Sequence, residues 1–365
     1  MQNQERSRRI GIFGGSFNPI HAGHVGAALA AARKYALDKV LVVPAACSPF
    51  KTAAKDVMPA VLRWRLVLVA CAGHSLLEPC DVELRRGGVS YAIDTVREIK
   101  AGNPGAKLFF IVGEDSVPSL RFWKDYAELS RLVEFVSFPR TRESATEVRR
   151  RLAADEPLGD LVAPAVGEWL QAKGVVFDYG GVLAYPPGRN WAVYARCAEL
   201  GLCREAVKAG FEKHRFRWDG GFCSGREMYR DIFADHGLSP SEDDLDEIAH
   251  IDSLGWTRMC PESLDLLKAL KSIGKKVGIL TNMSQEFYDG YFVNCAGEFT
   301  AQADALVVSG FHKLFKPERP IYDLMASKLS LPPDELLFLD DREDNVAAAR
   351  SYGWHAQAFS CEPFT

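Results

Sequence analysis

The sequence predicts an α/β protein with two doubly wound parallel sheets, and three observations support this. Short apolar runs alternate with amphipathic segments through the first 174 residues, which is typical of a parallel sheet covered by helices. A new buried run, VVFDYGG, follows Gly174 directly, and similar runs come after it. The length of 365 residues exceeds what one hydrophobic core usually serves. We therefore expect two domains, residues 1–174 and 175–365.

The first half predicts strands and helices in strict alternation. In chain order they are the strand RIGIFGG, a helix from Val25 to Ala36, the strand KVLVVPA, a helix near Leu62 to Ala72, the strand LLEPCDVEL, the helix AIDTVREIKAG, the strand KLFFIVG, the helix YAELSRL, the strand VEFVSFP, the helix ATEVRRRLA and a helix from Ala163 to Ala172. Ligands of such sheets bind at the carboxyl ends of the strands. Functional residues are therefore expected directly after strands.

The second half opens with the strand VVFDYGG and continues in largely helical segments to about Cys260. Three more strand-like runs follow, KKVGILTN, ADALVVSG and LLFLDD. A helical insertion after the first strand, at about residues 186–260, predicts a cap over the carboxyl ends of the strands. Because no flexible linker precedes Gly174, we expect the two Rossmann-like domains to pack closely.

Composition excludes several classes of partner. The formal net charge of -4 argues against nonspecific binding to nucleic acid or anionic membrane, although small phosphate ligands stay compatible with it. The polar start MQNQERSRR has no apolar core, and Arg63 and Arg65 interrupt the most apolar stretch, so we expect neither a signal peptide nor a membrane span. Scattered cysteines without metal-type spacing favour a reducing, cytoplasmic location.

The first chemical constellation is IGIFGGSFNPIHAGH, which starts at Ile10. Gly14 and Gly15 permit close backbone approach after the strand, and His21 and His24 stand at the start of a helix with Gly23 between them. The helix dipole and free N–H groups favour an anion there. Paired histidines without a nucleophile suit direct attack on a nucleotide phosphate. A tight turn followed by an ordinary helix cap is the structural alternative.

This stretch resembles the HxGH nucleotidylyltransferase superfamily, and it is most similar to the bacterial nicotinate-nucleotide adenylyltransferases. Four later segments resemble that family in its order: SPFKTAAKDV, DVELRRGGVSYAIDTVREI, GEDSVPSLRFWKDYAEL and SATEVRRRL. The resemblance implies transfer of AMP from ATP to nicotinate mononucleotide, which gives nicotinate adenine dinucleotide and pyrophosphate in NAD biosynthesis. It also implies Mg2+ as the ion that neutralises the triphosphate.

The resemblance assigns roles residue by residue. His21 and His24 would be catalytic and stabilise the transferring phosphate. The set implied for ATP and its phosphates is Gly14, Gly15, Ser16, Phe17, Gly23, Lys51, Ser144, Thr146 and Arg149. The set implied for the mononucleotide is Tyr91, Thr95, Gly113, Asp115 and Trp123.

Elementary geometry supports part of this assignment. Thr146 and Arg149 lie three apart at a helix start, and an Arg side chain binds phosphate through a fork of donors. Trp123 is expected either to stack on a pyridine ring or to join the core. The connection from SFPR to Ser144 is shorter than is usual in the family. The acceptor therefore stays open between nicotinate mononucleotide, nicotinamide mononucleotide and phosphopantetheine.

The second constellation lies at strand ends in the other half. Asp178 follows a buried strand and precedes a Gly-Gly turn, a position that suits a carboxylate nucleophile or metal ligand. Complementary groups end the other strands: Thr281, Asn282, Lys316, Asp340 and Asp341. A nucleophile, phosphate donors, a cation and metal-binding carboxylates are thus all present.

That order resembles the haloacid dehalogenase-like hydrolases, through ILTN, KLFKPERPIYD and FLDDREDNVAAARSYG. By resemblance Asp178 attacks a phosphate that Thr281, Asn282 and Lys316 bind. The implied Mg2+ ligands are Asp178, Gly180 and Asp341, with Asn345 supporting that shell and Asp340 as an auxiliary carboxylate. The implied activity is Mg-dependent hydrolysis of a small phosphate ester.

One departure affects this second site. Family phosphatases usually carry an Asp two positions after the nucleophile as general acid and base, whereas this chain has Gly180. General acid help is worth about two to four powers of ten in rate. The domain is therefore expected to be a slow phosphatase or a noncatalytic regulator. Taken together, the two halves predict a multifunctional enzyme that acts on small molecules. Its expected ligands are ATP, nicotinate mononucleotide and a phosphate ester, and a homo-oligomer is compatible with the sequence.

Overall fold

The structure is a computed structural model that describes residues 7–49, 57–139, 143–188 and 191–361. The chain divides into two compact units, residues 1–171 and 172–365. Each unit contains one five-stranded parallel sheet flanked by helices. The predicted fold class, two doubly wound α/β domains, is therefore confirmed.

The first unit follows the predicted alternation closely. Its strands are β1 (Arg9–Gly15), β2 (Lys39–Pro44), β3 (Leu77–Pro79), β4 (Lys107–Gly113) and β5 (Val133–Phe138). Its α-helices are α1 (Ala22–Lys34), α2 (Ala60–Cys71), α3 (Val82–Arg86), α4 (Ala92–Gly102), α5 (Tyr126–Leu132), α6 (Ala145–Ala153) and α7 (Pro164–Gln171), with 3-10 segments at Glu114–Phe122 and Gly159–Leu161.

The second unit contains more helix. Its strands are β6 (Gly174–Phe177), β7 (Lys276–Thr281), β8 (Ala305–Val308), β9 (Leu336–Asp340) and β10 (His355–Ala358). Its helices are α8 (Ala192–Glu199), α9 (Arg204–Asp219), α10 (Gly225–Ala234), α11 (Glu242–Gly255), α12 (Pro261–Ser272), α13 (Gln285–Phe287), α14 (Val293–Cys295), α15 (Gly297–Thr300), α16 (Ser309–His312), α17 (Arg319–Leu329) and α18 (Glu343–Ser351). A π-helical turn, Tyr288–Phe292, and a 3-10 turn, Pro333–Glu335, complete it. Helices α8 to α11 form the helical insertion, which we call the cap.

One predicted strand is shorter than expected, and one strand of the second sheet was not predicted. The run LLEPCDVEL is a strand only at β3, because Asp81 starts the short helix α3. Strand β10 was not predicted, since HAQA has two polar residues among four and lies at the sheet edge beside β9 alone. Short edge strands give little apolar signal.

Strand order places the two candidate sites. The first sheet runs β3-β2-β1-β4-β5 and the second runs β10-β9-β6-β7-β8. In each sheet the order reverses beside the unit's first strand, between β1 and β4 and between β6 and β9. Open α/β sheets bind their ligands in the crevice at such a reversal, outside the carboxyl ends of the strands. Both glycine-rich stretches therefore end at the positions where ligands are expected.

Both sheets owe their stability to apolar burial on two faces. The middle residues of β4, from Leu108 to Val112, are all at most 5% exposed, and those of β9 are fully buried. Strands of a parallel sheet have helices on both faces, which accounts for their continuous apolar runs. The cap has its own apolar cluster around Trp218, Tyr229 and Phe233. These cores fix the strand ends that carry the polar side chains.

Candidate active sites

The loop after β1 is built around a folded-back aromatic ring. Phe17 has a φ of 42°, in the left-handed region, and its side chain is 2% exposed. A β-carbon on Gly15 would lie 3.2 Å from two carbons of the Phe17 ring, so this position favours glycine. The ring meets His24 edge to face, with centroids 5.0 Å apart. Phe17 thus positions His24 through its ring.

The two histidines stack at the start of α1. Their ring centroids are 3.7 Å apart, and the backbone N–H of His21 donates to Nδ1 of His24 at 3.3 Å. Because Nδ1 accepts, a neutral His24 carries its proton on Nε2. Burial lowers the pKa of His21 to about 4, although Glu143 opposes the shift. His21 is therefore neutral at pH 7 in the free protein, beside the first N–H groups of the helix.

Two arginines hold this loop by its carbonyl oxygens. Arg63, which is 2% exposed, donates from Nη1 to Ser16 O at 2.7 Å, from Nη2 to Ala46 O at 3.2 Å and from Nε to Met58 O at 3.0 Å. The guanidinium therefore ties the β1–α1 loop to the segments on either side of residues 50–56. Burial lowers the pKa of Arg63, yet three carbonyl partners suit its charged form.

The residues at the start of α6 that are predicted to bind phosphate contact the same loop. Arg149 on α6 donates from Nη1 to Asn18 O at 2.5 Å and from Nη2 to Thr146 Oγ1 at 3.3 Å. Ser144 caps α6 and accepts from Glu147 N at 3.2 Å. Residues 131 positions apart in the chain thus come together at the start of α1. Lys51, the remaining predicted phosphate ligand, lies outside the described residues.

The residues predicted to bind the mononucleotide lie around α4 and the end of β4. Lys124 lies beside one of them, Tyr91, because its Nζ is 4.5 Å from the Tyr91 ring centre; the same Nζ is 3.1 Å from Asp94 Oδ2. Trp123 packs edge to face on Phe110 and Phe135, so much of its ring belongs to the core. Its buried Nε1 has no hydrogen-bond partner among the described residues.

Three further members of that set have distinct surroundings. A β-carbon on Gly113 would lie 2.5 Å from Asp115 Oδ1, so glycine lets the exposed Asp115 fold back over the strand end. Thr95 is 1% exposed, and its Oγ1 donates to Glu83 at 2.6 Å and accepts from Arg86 at 2.7 Å. Because its hydroxyl is used inside the protein, Thr95 holds α3 against α4, and its contact with the mononucleotide stays a prediction.

The second candidate site centres on a buried lysine between two carboxylates. Lys316 Nζ lies 2.7 Å from Asp178 Oδ1 and 2.6 Å from Asp340 Oδ2. Burial raises the pKa of Asp178, against the opposing charge of Lys316. Burial also acts to lower the pKa of Lys316, but the two carboxylates outweigh it and raise that pKa. A fixed cation therefore lies beside the predicted nucleophile.

Amide side chains orient this cluster. Asn345 donates from Nδ2 to both oxygens of Asp340, and the Arg342 N–H donates to Oδ1. Asn282 donates from Nδ2 to the carbonyl oxygen of Lys316 and accepts at Oδ1 from the Lys316 N–H, at 2.9 Å each. The Asn282 side chain therefore positions Lys316, and its predicted contact with phosphate stays a prediction. Thr281, 2% exposed, lines the cavity beside Asp178.

The oxygen ligands of this cluster fit a hard divalent cation. Oxygen atoms of Asp178, Asp340 and Asp341 all lie within 4.8 Å of one another. Gly181 has a φ of 74°, and a β-carbon at this position would overlap the Asp341 carboxylate. Only glycine at position 181 therefore leaves room for that carboxylate. Asp340 is already bonded on both oxygens, which leaves Asp178 and Asp341 as the carboxylates open to a metal. Mg2+ prefers such oxygen ligands.

Sequence comparisons agree with the division into units. The family model described as cytidylyltransferase-like matches residues 12–174, and that of the haloacid dehalogenase-like hydrolases matches residues 172–353. A probable nicotinate-nucleotide adenylyltransferase of Shouchella clausii is 36% identical over 194 residues, which are 47% of this chain and 98% of that protein. The first half of the chain belongs to the nicotinate-nucleotide adenylyltransferase family. A relative of the same name from Methylacidiphilum infernorum is 33% identical over 48% of this chain and 95% of its own.

The second half carries a haloacid dehalogenase-like hydrolase domain. A haloacid dehalogenase family enzyme of Bacteroides thetaiotaomicron, solved as a magnesium complex, is 19% identical, with a TM-score of 0.42, over 53% of this chain and 96% of that one. The relatives of the first half and the family model of the second half together show a nicotinate-nucleotide adenylyltransferase-family domain joined to a haloacid dehalogenase-like hydrolase domain. Among the described residues no helix has both the length and the apolar character to cross a bilayer.

The hydrolase site is covered by the cap. A cavity of about 600 Å³ extends from Asp178 and Lys316 to aromatic residues of the cap. Glu286 Oε2 accepts from Trp218 Nε1 and from Gly225 N, both at 2.8 Å, and Ser309 Oγ donates to Asp219 O at 2.6 Å. These bonds join the cap to the sheet domain around the mouth of the site.

Three residues of these sites escaped the sequence predictions. Arg63 was noted only as an interruption of an apolar helix, yet a charge among apolar neighbours is itself a sign of a buried hydrogen-bonding role. Asn18 has the same role, since its Oδ1 accepts from Met58 N at 2.9 Å. Trp256 lies over Gly180, and no local pattern relates positions 76 residues apart.

Proposed function

We propose that the adenylyltransferase domain transfers AMP from ATP to nicotinate mononucleotide, giving nicotinate adenine dinucleotide and pyrophosphate in NAD biosynthesis. The stacked pair His21 and His24 at the start of α1, with Arg149 bonded to the same loop, carries this proposal. These groups offer a helix N-terminus, an Nε2–H donor and a guanidinium to one set of phosphates.

The proposed reaction needs positioning and charge stabilisation. A phosphate oxygen of the mononucleotide attacks the α-phosphorus, the bond to the bridging oxygen breaks, and pyrophosphate leaves with that electron pair. His24 Nε2–H and the first N–H groups of α1 donate to the α-phosphate oxygens, where negative charge increases. Arg149, Ser144 and Thr146 hold the departing phosphates. The anionic substrate also raises the pKa of His21, which adds a second donor.

The acceptor is tested by direct competition. Purified protein with ATP is expected to form dinucleotide from nicotinate mononucleotide at a kcat/KM well above that for nicotinamide mononucleotide, with no product from phosphopantetheine. His24→Ala is expected to lower kcat by about 100-fold or more, because a donor to the transition state is lost. Protein that makes no dinucleotide from either mononucleotide contradicts the proposal, and preference for another acceptor corrects its substrate.

We infer that the hydrolase domain is a Mg-dependent phosphatase acting on a small phosphate ester. The cluster in which Lys316 bridges Asp178 and Asp340 carries this proposal. Asp178, Asp341 and the carbonyl oxygen of Gly180 would hold Mg2+, which when bound neutralises phosphate charge. Asp178 acts as the nucleophile, and Lys316 and Thr281 bind the phosphate oxygens.

A screen of phosphomonoesters with Mg2+ tests this domain against the regulatory alternative. Turnover is expected for the wild type and is expected to be lost in Asp178→Asn, which keeps the shape of the side chain but not its charge. Chelation of Mg2+ is expected to abolish the same turnover. Absence of Asp178-dependent turnover across the screen favours a noncatalytic domain.

A further inference from the structure

The hydrolase site has glycine at position 180, two residues after the proposed nucleophile, where family phosphatases usually carry an aspartate. A β-carbon added to Gly180 would lie 3.0 Å from Cζ3 and 3.4 Å from Cε3 of Trp256. The indole therefore covers the point from which a longer side chain at position 180 would grow. Trp256 is itself held there, since Tyr179 Oη donates to its carbonyl at 2.6 Å. An apolar ring replaces a proton donor at this position.

Three hydrogen-bond donors that line the cavity, on Tyr179, Lys316 and Arg215, already have partners inside the protein. The Tyr179 hydroxyl donates to the carbonyl oxygen of Trp256. Lys316 is shared between Asp178 and Asp340. Arg215 donates from Nη1 to Asp252 at 2.6 Å and from Nε to Asp219 at 3.2 Å, and a guanidinium does not release its proton near neutral pH.

We propose that this site hydrolyses phosphates whose leaving group departs as a stable anion without taking a proton, namely aryl phosphates, acyl phosphates or phosphoanhydrides, and discriminates against simple alkyl phosphates. The proposal rests on the phosphatase function inferred above. It assigns Trp256 and Gly180 as the pair that sets the substrate class.

The chemistry is balanced without a general acid. An oxygen of Asp178 attacks phosphorus, the bond from phosphorus to the leaving oxygen breaks, and that oxygen keeps the electron pair. Water then attacks the aspartyl phosphate, the bond to the Asp178 oxygen breaks, and the carboxylate is regenerated. Both protons of the water leave with the phosphate, which passes one to solvent. An alkoxide leaving group would make the first step slow, because its conjugate acid is far weaker than a phenol of pKa about 10.

The cavity walls suit a ring-bearing leaving group. Beyond Asp178 they include Trp191, Phe211, Trp218 and Trp256, and Trp191 meets Trp256 edge to face with centroids 6.3 Å apart. Faces of this kind bind planar groups. Arg215, which is ion-paired with Asp219 and Asp252, packs on the Trp218 ring with its guanidinium carbon 4.6 Å from the ring centre.

Two matched substrates test the proposal on the full chain with Mg2+. p-Nitrophenyl phosphate and benzyl phosphate have the same charge and similar rings but differ in the acidity of the leaving group. The expected ratio of kcat/KM is at least about 100-fold in favour of p-nitrophenyl phosphate, the size of a missing general acid effect. Acetyl phosphate represents the acyl phosphates and pyrophosphate represents the phosphoanhydrides. The compound with the highest kcat/KM among these and p-nitrophenyl phosphate identifies the kind of substrate.

Variants locate the cause of this discrimination. Gly180→Asp combined with Trp256→Ala provides both a carboxyl and the room for it, and it is expected to raise benzyl phosphate turnover relative to p-nitrophenyl phosphate. Trp256→Ala alone provides only the room and is expected to leave the ratio high. Turnover of p-nitrophenyl phosphate by the double variant reports that its site is folded. Intact-mass detection of one phosphoryl group after acetyl phosphate, absent in Asp178→Asn, reports the covalent step independently of turnover.

The outcomes separate two kinds of failure. Comparable Asp178-dependent turnover of benzyl and p-nitrophenyl phosphates overturns the substrate class while leaving the phosphatase intact. Asp219 and Glu212 also line the cavity, and burial raises the pKa of Asp219 to about 6. Selective loss of benzyl phosphate turnover in Asp219→Asn or Glu212→Gln would identify one of these carboxyls as the general acid and would overturn the proposed substrate class. No Asp178-dependent turnover and no phosphoryl adduct with any substrate overturn both proposals.

Discussion

At the scale of single residues, the first site depends on a histidine that is kept neutral by its surroundings. His21 is 8% exposed and stacks on His24, and burial lowers its pKa to about 4. The sequence predicted both histidines and their place at a helix start. It could not predict the protonation of His21, which depends on how deeply the folded domain buries this ring. The bond from His21 N to His24 Nδ1 likewise appears only in three dimensions.

The pH dependence of stability follows from the pKa of His21. The unfolded chain binds this proton at about pH 6.5 and the folded chain at about pH 4. The free energy of unfolding therefore falls as the pH drops from 6.5 to 4. Below pH 4 both states carry the proton, and His21 has no further effect on stability. The contribution is about 2 kcal/mol after allowance for solvent screening. Calorimetry of His21→Gln is expected to show a smaller loss over this range, and an NMR midpoint near 6.5 for the His21 ring contradicts the interpretation.

At the scale of elements, each site is created by a change in strand order. β1 and β6 each lie beside the reversal, between β1 and β4 and between β6 and β9. Alternating apolar runs predicted most of these strands, because parallel strands are buried on both faces. The same runs could not show which loops contact one another. That information lies in Arg63 and Arg149, whose guanidinium groups bond to carbonyls of distant loops.

The loop-binding role of Arg63 predicts a large effect on the first domain. Arg63→Met leaves three partly buried carbonyl oxygens without their donor and is expected to lower the free energy of unfolding by about 3 kcal/mol and to raise the KM for ATP. Arg63→Lys keeps the charge but not the three-way fork, and an intermediate loss is expected. Thermal unfolding with ATP kinetics measures both, and unchanged values in Arg63→Met contradict the role.

At the scale of the whole molecule, the chain joins two sets of phosphate chemistry that use different groups. The first set contains no nucleophile of its own, whereas the second is built on Asp178. The sequence predicted both sets and the departure at Gly180. Trp256, the residue that complements Gly180, lies on the cap and was found only in the structure. The two sites share no residue, so each is expected to work without the chemistry of the other.

The most direct measurement assays both activities in the wild type, His24→Ala and Asp178→Asn. Dinucleotide synthesis from ATP and nicotinate mononucleotide is expected to fall by about 100-fold or more in His24→Ala and to stay at the wild-type level in Asp178→Asn. Hydrolysis of p-nitrophenyl phosphate is expected to show the reverse. Loss of both activities in either variant, or survival of either activity in its own variant, would contradict the assignment of two independent active sites to this chain.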